Sequence, residues 1–198
     1  MVKTDIFLYI FIGFVIIITV NLFLKSDMVN LTCIISEVDG NSYCVRDRTK
    51  LNEAADLLAT VTNKCKTIVI HMYNTYPEDS RCKMLHTNFN PSKIIETLPT
   101  SKLKAYSENK GQKIAFCLNK QNEDNNKLID LNTLTFVALH ELSHLMTHSV
   151  GHNQDFWTNF KFILENAVEL KLYDPVNYKE TPKEYCGMDI TDNPYYDL

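Results

Sequence analysis

The segment Leu139–Trp157, LHELSHLMTHSVGHNQDFW, holds four of the six histidines and constrains the fold more tightly than any other stretch. It sits inside an apolar stripe. From Leu128 onward, Leu131, Leu134, Val137, Ala138, Leu142, Leu145 and Met146 recur at helical spacing, with Asp130 or Asn132 available as the N-cap. The sequence HELSH therefore lies on a helix that turns one face into the core. A helix interior is a costly place for two imidazoles and a carboxylate, each of which must find partners or lose its charge. A metal ion with its water removes that cost. His140 and His144, one turn apart, project from the same face, the arrangement by which two imidazoles grip one zinc ion. Glu141 is rotated about 100° around the helix from His140, too far to ligate but placed to reach a zinc-bound water as general base. A chance H-E-x-x-H in a chain of this His and Glu content arises in about one sequence in a hundred, and the helical setting makes chance rarer still.

A catalytic site of this kind needs a third protein ligand and an open position for water. His148 and His152 are the candidates. If the helix ran straight on, His148 would lie two turns beyond His140, about 12 Å away, where three stacked imidazoles cannot converge on one ion. That makes His148 a flanking residue. His152 follows Ser149-Val150-Gly151, and Gly151 can take the positive dihedral that ends a helix and turns the chain back toward the site. The spacing favours His152 as the third ligand. Further on, Phe156 or Trp157, Phe160, Ile163 or Leu164, Ala167 and Val168 mark a second helix, with Asn153 as its cap. Phe156 and Trp157 read as core packing. Asp155 has two readings, a partner for a ligand histidine's free ring nitrogen or an exposed first-turn acid, and the second is the commoner fate.

A second feature lies at the amino end. Ile6–Leu24, IFLYIFIGFVIIITVNLFL, carries no charge and is flanked by Lys3 and Asp5 on one side and Lys25 and Asp27 on the other. About twenty apolar residues span a bilayer core at the helical rise. The run is long for a signal peptide, and no small-x-small cleavage site follows Leu24. It reads as a single-pass anchor. Lys3 and the amino terminus against Lys25 give a small positive excess that leans toward an inside amino end and a non-cytosolic domain. Asn30-Leu31-Thr32 is a glycosylation sequon consistent with that side.

The remaining chain reads as one small α+β domain. Leu51, Ala54, Ala55, Leu58, Val61 and Cys65 give residues 49–65 an apolar helical face, while TIVIHMY after it fits either more helix or a strand. KLKAYSENKGQKIAFCLN reads as two strands around an Asn109-Lys110-Gly111 turn. The strand near Lys113–Leu118 is expected to form an edge that binds extended substrate by strand addition, with loose sequence specificity. Residues 119–126 are polar enough for a surface loop. A formal charge of -4 and the absence of any Lys/Arg-rich run leave no surface for neutralising phosphates, so direct nucleic-acid binding is not expected. The six cysteines, Cys33, Cys44, Cys65, Cys82, Cys117 and Cys186, form no C-x-x-C pair, so a zinc ribbon is not supported and disulfides remain open.

TLTFVALHELSHLMTHSVGHNQDFW resembles the active-site segment of the WLM (Wss-like metalloprotease) and SprT-like families of zincin metallopeptidases, in which H-E-x-x-H is followed by a loop and a histidine shortly before an aromatic pair. The resemblance extends more weakly through AYSENKGQKIAFCL and the helix from Arg46 to Cys65, covering about residues 43–172. It implies a zincin-like fold, Zn2+ held by His140, His144 and His152, Glu141 as base, and hydrolysis of protein or peptide substrates. Relatives acting on DNA-crosslinked proteins resemble nuclear proteins with DNA-binding additions; the anchor and acidic balance here do not carry that role over. Compact membrane-anchored versions of the domain resemble proteins of large DNA viruses, implying a viral membrane protein.

The expected organisation is a flank at 1–5, a transmembrane helix at 6–24, a linker at 25–42, the metallopeptidase domain at 43–172 and a Tyr/Pro-rich extension at 173–198. In the expected mechanism zinc lowers the pKa of its water and polarises the scissile carbonyl, while Glu141 takes the proton and passes it to the leaving amine. Tyr173, Tyr178 and Tyr185 lie downstream where an oxyanion donor could come from, though each alone fits packing better. The rival class is a membrane-tethered structural or interaction protein whose zinc site is closed by His148. Glu141 argues against it, because a structural site has no need of a base.

Overall fold

The computed structural model describes residues 2–24, 31–99, 101–120 and 127–197. Lys25 and Asp27 beside the apolar run, Asn30 of the sequon and residues 121–126 of the polar loop lie outside the described residues.

Helix α1 (Val2–Leu24) contains the apolar run, and none of its residues from Ile6 to Phe23 is buried. It is long and apolar enough to cross a membrane. The two polar side chains in its second half turn back on the helix: Thr19 Oγ1 donates to the Val15 carbonyl at 2.8 Å and Asn21 Nδ2 to the Ile17 carbonyl at 2.9 Å. In hydrocarbon such groups have no other partner.

The next segment, assigned to a linker, is partly structured. Strands β1 (Thr32–Ile35) and β2 (Ser42–Val45) form an antiparallel hairpin in which Cys33 faces Cys44, and the two are joined by a disulfide. Helix α2 (Leu51–Thr75) then runs well past residue 65. TIVIHMY stays helical because the stripe Leu58, Val61, Cys65, Ile68, Val69 and Met72 keeps helical spacing and is buried throughout. Tertiary burial here overrides the β preference of the branched residues. After α3 (Ser80–Asn88), a 3-10 turn at Pro91–Lys93 leads into β3 (Ile94–Glu96).

Strands β4 (Ala105–Glu108) and β5 (Lys113–Phe116) make the expected hairpin, with Asn109, Lys110 and Gly111 all at positive φ in its turn. The sheet order is β3-β5-β4, with β3 and β5 parallel. The strand near Lys113–Leu118 is therefore central, and the edges are β3 and β4. Sequence periodicity misses this because β3, the partner on the other side, is only 3 residues long.

Helix α4 (Leu131–Leu145) packs against α2 and the sheet, and α5 (Gln154–Glu169) packs against α4 and α2. Asp130 caps α4 by accepting from the Thr133 N–H at 2.9 Å, and Asn153 caps α5 by accepting from the Phe156 N–H at 3.1 Å. Such caps stabilise a helix by about 1 kcal/mol each. The chain beyond residue 172 packs into the same core: Tyr173, Tyr178 and Tyr185 are all fully buried. Strands β6 (Lys183–Tyr185) and β7 (Met188–Ile190) form a hairpin closed by Cys186 and Gly187, both at positive φ. That is the geometry of a two-residue turn matched to strand twist. A second disulfide, Cys117–Cys186, ties this hairpin to the end of β5. Cys65 and Cys82 are buried free thiols.

Candidate metal centre

Helix α4 ends at Leu145, and the chain turns back through Gly151 at φ 88°. The reversal brings His152 over the helix. His140, His144 and His152 each offer a ring nitrogen, and the three lie within 4.8 Å of one another. The closest pair, His152 Nε2 and His140 Nε2, are 3.0 Å apart. Without a metal, one of these nitrogens must carry a hydrogen for the other to accept. A cation between them would instead draw both lone pairs, and three imidazoles leave a fourth tetrahedral position open.

The electrostatics fit the same donor set. Burial, reinforced by His144 and His152 nearby, lowers the His140 pKa to about 3. Burial and His152 lower that of His144 to about 4. Both rings are thus neutral at ordinary pH, as ligation requires. Glu141, on the next position of the helix, is buried and its pKa is pushed up to about 8 by desolvation, with a hydrogen bond from Ser107 opposing the shift. Among the described residues Glu141 makes no ion pair.

Phe156 holds the three rings in place. Its ring stacks on His144 at 4.4 Å between centroids and meets His140 and His152 edge-on at 4.9 and 4.6 Å. The adjacent Trp157 is partly exposed and donates from Nε1 to the His152 carbonyl at 3.1 Å. Together these α5 residues brace an exposed loop histidine from below and behind. The Lys110 ammonium of the β4–β5 turn reaches the Thr147 and His148 carbonyls, fixing the loop that leads to His152. His148 itself is exposed and stands outside the cluster. Asp155 is exposed in the first turn of α5.

Some contributors had little sequence signal. Phe156 has the spacing of a core residue, and it is one, but its position three residues after the Asn153 cap also places it under the rings. Ser107 gives no signal, since nothing in β4 marks which residue faces Glu141. The Tyr185 hydroxyl is committed to backbone: it donates to the Lys104 carbonyl at 3.2 Å and accepts from the Cys117 N–H at 3.1 Å. Tyr173 Oη bonds Asn193, and Tyr178 is buried in the core. Tyr185 borders the site, in the wall of a cavity that His140 and Glu141 also line, whereas Tyr173 and Tyr178 line neither cavity there.

A family model described as the WLM domain matches residues 45–194. The chain is 25% identical over 162 residues to uncharacterized protein R325 of Acanthamoeba polyphaga mimivirus, covering 80% of this chain and 81% of that one. It is 37% identical over 83 residues to uncharacterized protein 136R of Invertebrate iridescent virus 6, covering 42% and 45% of the two chains. Among solved structures it is similar to Wss1 from Saccharomyces cerevisiae, with a TM-score of 0.48 and 16% identity over 63% of this chain and 84% of that one.

Proposed function

Because the chain belongs to the WLM domain family, a metallopeptidase-like family, we propose that it is a zinc-dependent endopeptidase of protein substrates, anchored in a membrane by α1. One observation carries this reading: three imidazole donors converge beside a buried carboxylate that makes no ion pair among the described residues. His140, His144 and His152 hold the ion. When bound, zinc supplies Lewis acidity and an acidified water. Glu141 accepts the proton of the attacking water and delivers it to the nitrogen of the breaking C–N bond, so the carboxylate ends the cycle as it began. The Ser107 hydroxyl, donating to Glu141, keeps that carboxylate oriented. Phe156 limits the tilt of all three rings.

The cavity containing these residues, about 510 Å3, runs along β4 and is also lined by Ala105, Tyr106, Asn109 and Lys110. An edge strand beside the reacting groups supports binding of an extended segment by strand addition, which recognises backbone more than side chains. Two disulfides in the domain support its placement in an oxidising space, consistent with the lean of the charge flanking α1. The viral relatives support a viral protein, and the length and apolarity of α1 support its membrane anchoring. A closed structural site would need His148 as a fourth ligand, and its exposure outside the cluster gives that reading no support.

The test is metal content and cleavage of an unfolded protein by the full chain in detergent, beside Glu141→Gln and His152→Ala. The expected result is one zinc per chain, cleavage lost in Glu141→Gln with zinc retained, and zinc lost in His152→Ala. Stoichiometric zinc that survives His152→Ala, with no cleavage by the parent protein, would sink the peptidase reading.

A further inference from the structure

Two cavities meet at His140 and Glu141. The one along β4 is described above. The other, about 450 Å3, shares Leu103 and Ala105 with it and is also lined by Phe136, Val137, Trp157, Met188 and Ile190, among others. Its walls come from four separate parts of the chain: residues 102–105 leading into β4, helix α4 one turn before the H-E-x-x-H, the first half of α5, and the β6–β7 hairpin with the residues after it. Leu103, Trp157 and Met188 are 59%, 37% and 48% exposed, a cluster of large apolar groups with water on one side. Such surface beside reacting groups is expected to be covered by a ligand.

The hairpin wall is pinned to the sheet that borders the reaction. Cys186 is bonded to Cys117, and the Tyr185 hydroxyl bridges Lys104 and Cys117, the residues just before β4 and just after β5. The wall and the edge strand therefore keep a fixed relation. A substrate segment laid along β4 with its carbonyl at the histidines has the side chain of one residue flanking the scissile bond next to this cavity.

We infer that this cavity is a specificity pocket for a bulky apolar side chain (leucine, phenylalanine or methionine) on a residue flanking the bond that is cut. The inference rests on the peptidase reading and adds to it: recognition is by backbone along β4 and by one apolar side chain in the hairpin-walled pocket. Filling such a pocket gives about a tenfold to hundredfold preference over a small or charged residue. Met188, at the tip of the hairpin and half exposed, can be changed without disturbing the core.

Two readouts test it on the full chain in detergent. In the first, a library of unfolded peptides is cut by the parent protein and by Met188→Glu, and the residues on each side of every cut are counted. The expected result is enrichment of bulky apolar residues at one fixed flanking position, with Met188→Glu shifting that position toward Lys and Arg by about tenfold. In the second, the fluorescence of the single tryptophan, Trp157, is followed in Glu141→Gln as N-acetyl-leucinamide, N-acetyl-phenylalaninamide or N-acetylglycinamide is added. A saturable change is expected with the first two and none with the third. Cleavage without a flanking preference, or a preference untouched by Met188→Glu, overturns the pocket and leaves the peptidase standing. A saturable Trp157 response without any cleavage upholds the pocket's ligand class and removes the peptidase. Neither cleavage nor response overturns the pocket.

Discussion

Glu96 and Glu141 are both buried carboxylates, 0% and 5% exposed, and their surroundings could hardly differ more. Glu96 accepts from the Arg46 N–H at 2.7 Å, meets the Arg48 guanidinium directly and lies 3.6 Å from that of Arg46. The same arginines reach the Thr97 carbonyl at 2.8 Å and Asn119 Oδ1 at 2.7 Å, so the cluster locks β2, β3 and the end of β5 together. Its carboxylate is neutralised by the guanidinium groups and its hydrogen bonds are made. Glu141 has the Ser107 hydroxyl as a hydrogen-bond partner, no ion pair among the described residues, and a pKa driven up to about 8 by burial. A carboxylate left short of partners beside a cavity keeps the capacity to take and give a proton, whereas one enclosed by guanidinium groups can only hold the fold.

Exchanging each glutamate for glutamine is the most direct way to break that comparison. Glu141→Gln is expected to lower the cleavage rate about 10²- to 10⁴-fold, with the denaturation midpoint of the metal-free protein unchanged near pH 7, where burial keeps Glu141 mainly protonated, and raised above pH 8, where its buried charge would form. Glu96→Gln touches nothing near the histidines. Leaving Arg46 and Arg48 uncompensated should cost about 3–5 kcal/mol of stability, read from urea unfolding, with cleavage by the remaining folded protein intact. If Glu96→Gln lost activity without losing stability, the division between a reacting and a structural carboxylate would be wrong.

The two disulfides sharpen the comparison at the level of whole segments. Cys117–Cys186 closes a separation of 69 residues and Cys33–Cys44 one of 11. Replacing both cysteines of the first pair by serine should destabilise the domain by about 4 kcal/mol, against about 3 kcal/mol for the second. Only the first pair holds the hairpin beside His140 and Glu141. Its loss should therefore change cleavage as well as unfolding, while loss of the second should appear in unfolding alone.

The helices and the three converging histidines were legible because they obey local rules. Asp130, Asn153 and Gly151 have the chemistry of two caps and a left-handed turn, and H-E-x-x-H fixes its own geometry on a helix. What stayed hidden depends on distant partners. Lys113–Phe116 reads as an edge strand until a 3-residue β3 is found parallel to it. The Tyr-rich end has no periodicity, yet it supplies three buried rings and one wall of a cavity. Packing does not follow the compositional boundary at residue 172. Cysteine spacing alone could not say that Cys117 and Cys186 meet, because the connection is set by how the chain returns to the sheet.

Gly111 and Gly151 carry the comparison to its finest scale, since both sit at positive φ, 102° and 88°, in loops that support the histidines. A Cβ at Gly111 would lie 2.2 Å from the Asn88 carbonyl oxygen, a backbone atom that cannot step aside. Gly111→Ala should cost about 2–3 kcal/mol and displace the turn whose Lys110 steadies the loop before His152. Zinc affinity is expected to fall with it, by about tenfold. At Gly151 nothing lies within 4 Å, so the cost of Gly151→Ala is the left-handed backbone alone, about 1 kcal/mol. That corresponds to about 1 kcal/mol of lost stability in the metal-free protein, which already holds this dihedral, or to as much as about a fivefold loss of zinc affinity to the extent that the variant's free loop relaxes out of it. Gly151→Asn should recover part of the loss, because asparagine visits the left-handed region more readily than alanine. Equal losses for alanine and asparagine would mean that the loop needs the space of a glycine and not its dihedral, and that something covers Gly151 when the metal is bound.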